Sequence, residues 1–294
     1  MNVKRVLTGV IGFPLVILLF VLANKYIIDV VAAGIACIAT HEYFKACKKE
    51  VKNLSWLGYV LSIGIALIHI VNTKIALMSL AVLIPSILLI LFLHIIISDM
   101  KIDLKDVAFS ALGIFYIISF IVFIPLIYGI GDTTKLNFLK EPSFADTVVS
   151  VYQNTIVPGK YLVWYMIFAA WGSDTFAYTI GKHFGKHKFS KVSPNKTIEG
   201  CLAGIFGAIF LSMIYTIIIN NNLDFGISYW KIGIASMIFG IIGQIGDFAA
   251  STIKRYFDVK DYSSLFPGHG GMLDRIDSVM FIAPFAFCMF AFIL

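Results

Sequence analysis

Apolar runs about as long as a bilayer is thick recur along this chain, and no other feature limits its fold so severely. A spanning helix needs about 20 mostly apolar residues, since in hydrocarbon every backbone N–H and C=O must be satisfied from within the segment. Such runs lie near residues 7–24, 26–44, 56–73, 75–98, 107–131, 160–181, 199–219, 231–252 and 278–294, separated by charged or turn-forming clusters. Of the 294 residues 59% are hydrophobic and only 14% charged, well under the roughly 25% of soluble domains. The expected fold is therefore all-α, a polytopic integral membrane protein with about nine transmembrane helices in a single membrane-embedded domain over 1–294. The first run follows Lys4 and Arg5, as a signal peptide would, but eight more runs follow and nothing marks a convincing cleavage site, so it reads as a helix.

Lysine and arginine accumulate on the cytoplasmic side of membrane proteins, so alternate loops can be compared. The amino terminus and the loops at 45–55, 99–106, 182–198 and 253–277 hold 17 of the 23 basic residues, leaving 6 for the opposite loops. This places the amino terminus inside and the carboxyl terminus outside, in the plasma membrane. Basic cytoplasmic loops also account for the net charge of +6 and suit anionic lipid surfaces, with no nucleic acid needed as partner. Cys37, Cys47, Cys201 and Cys288 form no CxxC pair and read as buried free thiols. The longest external loop, about 132–159, is expected to carry a short interfacial helix through Val148 to Val151.

Charged residues inside apolar runs are costly unless paired or hydrated, which makes them informative. Asp174 lies late in "YLVWYMIFAAWGSDTFAY", and Asp247 sits in "FGIIGQIGDFAASTIKR" after Gly240, Gly243 and Gly246. Asp247, Ser251 and Lys254 stand at i, i+4 and i+7, on one helical face that leads into the polar stretch 251–278. At its far end Asp274 and Asp277 share a face if the last helix begins there. Three carboxylates converging at the membrane boundary would repel one another unless they held cations, and an all-oxygen shell favours hard ions such as Mg2+. Between them "FPGHGG" offers glycine amides that can approach an anion, with His269 as a further donor. His69 and His94, inside apolar runs, read as structural, and His183 and His187 as part of a solvated basic loop.

The run "STIKRYFDVKDYSSLFPGHGGMLDRID", Ser251 to Asp277, closely resembles the signature of the CDP-diacylglycerol synthases, or phosphatidate cytidylyltransferases. "GSDTFAYTIGKHFGKH", "KVSPNKTIEG" and the opening "KRVLTGVIGFPLV" are similar to other segments of that family, while "THEYFKAC" at 40–47 departs from a tryptophan-containing glutamate motif found in many relatives and leaves the role of Glu42 open. The resemblance implies transfer of CMP from CTP to phosphatidic acid, giving CDP-diacylglycerol and pyrophosphate at the cytoplasmic headgroup level. It divides the chain into an amino-terminal part, helices 1–5 over about 7–131, and a catalytic part, helices 6–9 over about 160–294.

The same resemblance implies Mg2+, as two cations, on Asp247, Asp274 and Asp277, with Lys254, Arg255 and Arg275 joining those carboxylates in catalysis. Substrate contacts are implied at Ser173, Asp174, Lys196, Ser251, Lys260, His269, Gly270 and Gly271. Lys196, Lys254, Arg255, Lys260 and Arg275 are candidate phosphate clamps. The partners are CTP, phosphatidic acid and membrane lipids, and the resemblance leaves room for a homodimer. An ion-coupled transporter using Asp174 and Asp247 is the competing class; it explains less, because the polar constellation is confined to the second half rather than repeated.

Overall fold

The computed structural model describes residues 3–47, 54–70, 73–97, 103–131, 157–190 and 193–293. Among them the chain forms ten helices and no strand: α1 (Val3–Leu22), α2 (Lys25–Cys47), α3 (Ser55–Ile65), α4 (Thr73–Ile97), α5 (Leu104–Ile121), α6 (Phe123–Tyr128), α7 (Gly159–Phe184), α8 (Ile198–Leu223), α9 (Tyr229–Tyr256) and α10 (Leu273–Ile293). The interfacial helix expected through Val148 to Val151 lies outside the described residues.

Two apolar runs differ from expectation. The run at 107–131 divides into α5 and α6 around Val122, because Pro125 has no N–H for the Ile121 carbonyl one turn earlier. The run at 56–73 yields only the 11-residue α3, after which Ala66, Leu67 and Ile68 make tighter turns onto Ile63, Gly64 and Ile65. The start of α5 is set by Asp103, which accepts from the Asp106 amide at 2.8 Å while Asp106 accepts from Asp103 in return.

Among the described residues four stretches are long and apolar enough to cross a membrane: Lys25–Cys47, Leu104–Tyr128, Ile198–Leu223 and Tyr229–Tyr256. On α8 the side chains turned away from the protein are Leu202, Phe206, Phe210, Ile217 and Ile218, an outward face that water would not tolerate and lipid does. The chain is a membrane protein.

Glycines set how closely the carboxyl-terminal helices approach. Without a hydrophobic drive between helices in lipid, small residues that let backbones touch supply the packing. A Cβ on Gly172 of α7 would stand 2.3 Å from the Gly207 carbonyl of α8, and one on Gly207 would stand 2.4 Å from the Gly172 carbonyl. The glycines preceding Asp247 do the same for α9: Gly240 faces Ala208 and Ile205 of α8, Gly243 faces Ile282 of α10, and a Cβ on Gly246 would be 2.7 Å from the Asp277 carbonyl.

In the amino-terminal half α2, α3 and α5 pack around Tyr43, Ile114 and Ile117, and the Tyr43 hydroxyl donates to the Phe109 carbonyl at 2.9 Å. His69, read as a structural histidine, has a definite partner: its Nδ1 lies 2.6 Å from Oδ1 of the fully buried Asp29, and its amide donates to the other oxygen. All four cysteines are free as expected, but only Cys47 is buried, and Cys288 is exposed on the last helix.

Candidate active site

The segment joining α9 to α10 is organised by one carboxylate. Asp274, in the first turn of α10, is 7% exposed. Its Oδ1 accepts from Lys254 Nζ at 2.6 Å, and its Oδ2 accepts the amides of Tyr262 and Gly271, each at 2.9 Å. Lys254, on the last turn of α9 and 8% exposed, thus reaches across to the opening of α10, with its ammonium 5.6 Å from the centre of the Tyr262 ring. Charge-assisted bonds of this kind offset the cost of burying both ions. Gly270 takes φ +84, a left-handed conformation suited to glycine, and a Cβ there would lie 2.9 Å from Asp274 Oδ2.

Beside this knot lies a second group of charges. Lys196, in the segment before α8, pairs with Asp247 of α9 and sits 4.2 Å from the centre of the Phe248 ring. Asp174 of α7 and Asp277 of α10 also act on Lys196 electrostatically, so acidic side chains of three helices bear on one ammonium. Burial pushes the Lys196 pKa below the ordinary lysine range, while the Asp174 carboxylate works against that shift. Asp277 is 7% exposed; its Oδ1 accepts the Ser278 amide, and Lys254, Asp174 and Arg275 are charged groups that act on it.

The expected one-face arrangement of α9 holds: Ser251 and Lys254 are buried on the side that meets α10, and Asp247 is partly shielded by Lys196. Asp274 and Asp277 do share the first turns of the last helix, which begins at Leu273 rather than near 278. Arg255 turns back to donate to the Val259 carbonyl at 3.0 Å. Lys260 and Arg275 are exposed, and the His269 amide closes a turn onto the Phe266 carbonyl. Ser173 is buried under Gln244, whose amide donates to Ser173 Oγ at 3.2 Å and to the Cys201 carbonyl at 2.9 Å, tying α7, α8 and α9 together. His187 belongs to an exposed turn, where its Nδ1 meets Glu199 at 2.6 Å.

Among the described residues no three His, Cys, Asp or Glu side chains stand close enough to form a ready metal cage. Asp274 has both oxygens engaged, whereas Asp247 and Asp277, on helices held in backbone contact through Gly246, lie near the same half-buried lysine. This donor set fits Mg2+, which is held through one or two carboxylates together with substrate phosphates rather than by an all-protein cage.

Sequence reasoning left one residue of the site open. Glu42 of α2, 2% exposed, accepts from the Ser263 hydroxyl at 2.6 Å and from the amides of Met272 and Leu273 at 2.9 and 2.8 Å. Only its position, an acidic residue inside an apolar run, could have signalled a buried partner. Tyr262, whose amide holds Asp274, gave no such signal.

A model of the cytidylyltransferase family matches residues 3–293. Among curated proteins, the phosphatidate cytidylyltransferase of Staphylococcus haemolyticus is 36% identical over 169 residues, which is 55% of this chain and 64% of that protein. The protein of the same name from Staphylococcus saprophyticus is 39% identical over 127 residues, 43% of this chain and 47% of the relative. That from Bacillus subtilis is 37% identical over 134 residues, 45% and 48% of the two chains. The aligned part of this chain thus spans less than two thirds of each of these relatives.

Proposed function

Since the chain belongs to the cytidylyltransferase family, we propose that it is a phosphatidate cytidylyltransferase, which transfers CMP from CTP to phosphatidic acid. The observation that carries this reading is the junction of α9 and α10, where a buried Lys254–Asp274 pair fixes a loop beside Lys196, Asp247 and Asp277. Fixed cations and carboxylates at the end of membrane helices suit two polyanionic substrates, one soluble and one lipid.

In the proposed reaction a phosphatidate phosphate oxygen attacks the α-phosphorus of CTP in line. The new P–O bond forms as the bond to the β-phosphate breaks, and pyrophosphate leaves with the electron pair. In this reading Arg275 and Lys260, both exposed, clamp phosphate oxygens; a planar guanidinium suits that task. Lys254 holds Asp274, and Asp274 holds the Tyr262 and Gly271 amides, so the loop is preorganised before substrate arrives. In this reading Lys196 balances the acidic group, with Asp174 acting on it, until phosphates are present. Asp247 and Asp277 would hold Mg2+, which when bound neutralises phosphate charge and polarises the α-phosphorus.

About nine spans, with the amino terminus and the site on the cytoplasmic face, are part of this reading, supported by the basic loops and by the ends of α9 and α10 meeting on one side. The direct test is to give the purified protein CTP and phosphatidic acid in mixed micelles and measure CDP-diacylglycerol and pyrophosphate in equal amounts. Formation of neither by folded protein would overturn it.

A further inference from the structure

We infer that Glu42 is a positioning residue for the transfer reaction: from the amino-terminal half it clamps the start of α10 and so fixes where Asp274 and Asp277 stand. This rests on the proposed function for its catalytic meaning, and on geometry for its existence.

A carboxylate buried to 2% exposure in an apolar bundle is costly unless its charge is met by donors. Glu42 meets three, all from a segment more than 200 residues away in sequence: the Ser263 hydroxyl and the Met272 and Leu273 amides. The two amides belong to the opening of α10, whose first N–H groups have no partner within the helix and carry the positive end of its dipole. Glu42 therefore caps α10 from another helix, a task that usually falls to a residue just before the helix. The close fit also explains the last glycine of the "GHGG" run: a Cβ on Gly271 would lie 2.6 Å from Glu42 Oε2. One residue past the cap is Asp274, which takes the Gly271 amide, and one turn further is Asp277. A shift of the capped turn moves both carboxylates together, while α2 itself presents Glu42 to the loop and not to the Lys196 cluster.

The test uses Glu42→Gln, which keeps shape and one acceptor oxygen, Glu42→Ala, which keeps neither, and Tyr128→Phe as a comparison. Tyr128 donates to the Ala23 carbonyl at 2.5 Å and has no part in the site. Deuterium exchange of the full-length protein without substrates should quicken in the peptide 262–280 for both Glu42 variants, and nowhere near it for Tyr128→Phe. Turnover should fall about tenfold for Glu42→Gln and about a hundredfold for Glu42→Ala, with the Mg2+ concentration for half-activation rising and the KM for phosphatidic acid unchanged. Unchanged exchange at 262–280 in both variants would overturn the clamp whatever the activity. Quickened exchange there with turnover and Mg2+ dependence equal to wild type would overturn the positioning role, as would exchange that rises equally over every helix. Absence of CDP-lipid synthesis by wild-type protein would refute the proposed function while leaving the exchange result to decide the clamp.

Discussion

Replacing Lys254 by methionine removes the cation from a buried pair and leaves Asp274 charged at 7% exposure. Breaking such a pair from one side costs about 3–5 kcal/mol, because the remaining ion keeps its desolvation cost without its partner. Here Asp274 retains the Tyr262 and Gly271 amides, so the loss should fall near the lower end, about 3 kcal/mol, or roughly a hundredfold in the folding equilibrium. Asp274→Asn takes from Lys254, whose side chain is 10% exposed, its bonded carboxylate and should cost a similar amount. The double variant should cost clearly less than the two singles together, with an interaction energy of about 2 kcal/mol. Unfolding in mixed detergent micelles, followed by tryptophan fluorescence, measures all three. Single losses under about 0.5 kcal/mol, or losses that simply add, would refute the view that this pair holds the α9–α10 junction together.

Asp247→Asn and Asp277→Asn should lower turnover by orders of magnitude with folding intact, and activity should vanish in excess chelator. Asp258→Asn should change little, since Asp258 is exposed and asparagine is equally at ease at its φ of +55. The depressed Lys196 pKa means that its charge is lost earlier than an ordinary lysine's as pH rises; a pH–rate profile should show an alkaline fall that Lys196→Arg, whose guanidinium keeps its proton, moves to higher pH. Gly207→Ala must part α7 from α8 and should cost about 1–3 kcal/mol in the same micelle unfolding assay. A cysteine in place of Asn222, in protein lacking Cys37, Cys47, Cys201 and Cys288, should react with an impermeant thiol reagent from outside intact cells; labelling from the cytoplasmic side alone would reverse the orientation.

The helices and the polar junction were readable because their signals are local. Apolar runs report helices, and the i, i+4, i+7 spacing of Asp247, Ser251 and Lys254 reports one face. What escaped depends on distant partners. The last helix begins at Leu273 because Lys254, two loop amides and Glu42 satisfy its charged first turns, and no apolar count of 273–277 could reveal that. The engagement of both Asp274 oxygens, which sets it apart from Asp247 and Asp277, likewise depends on a loop fold invisible in spacing. Asp29 and His69 are 40 residues apart, and each alone looks like a polar residue in an apolar run. The glycines before Asp247 carry no local signal of their role, which is to serve as contact points for α8 and α10.

Which phosphorus of CTP reaches the lipid decides the chemistry at the α9–α10 junction. Purified protein in micelles containing phosphatidic acid and Mg2+ is given CTP labelled at the α-phosphate in one reaction and at the γ-phosphate in another. Nucleotidyl transfer predicts that α-label enters the lipid fraction and γ-label appears only in pyrophosphate, with both signals lost in Asp277→Asn. Label from the γ-phosphate in the lipid, or no lipid label from either nucleotide with folded protein, would contradict it.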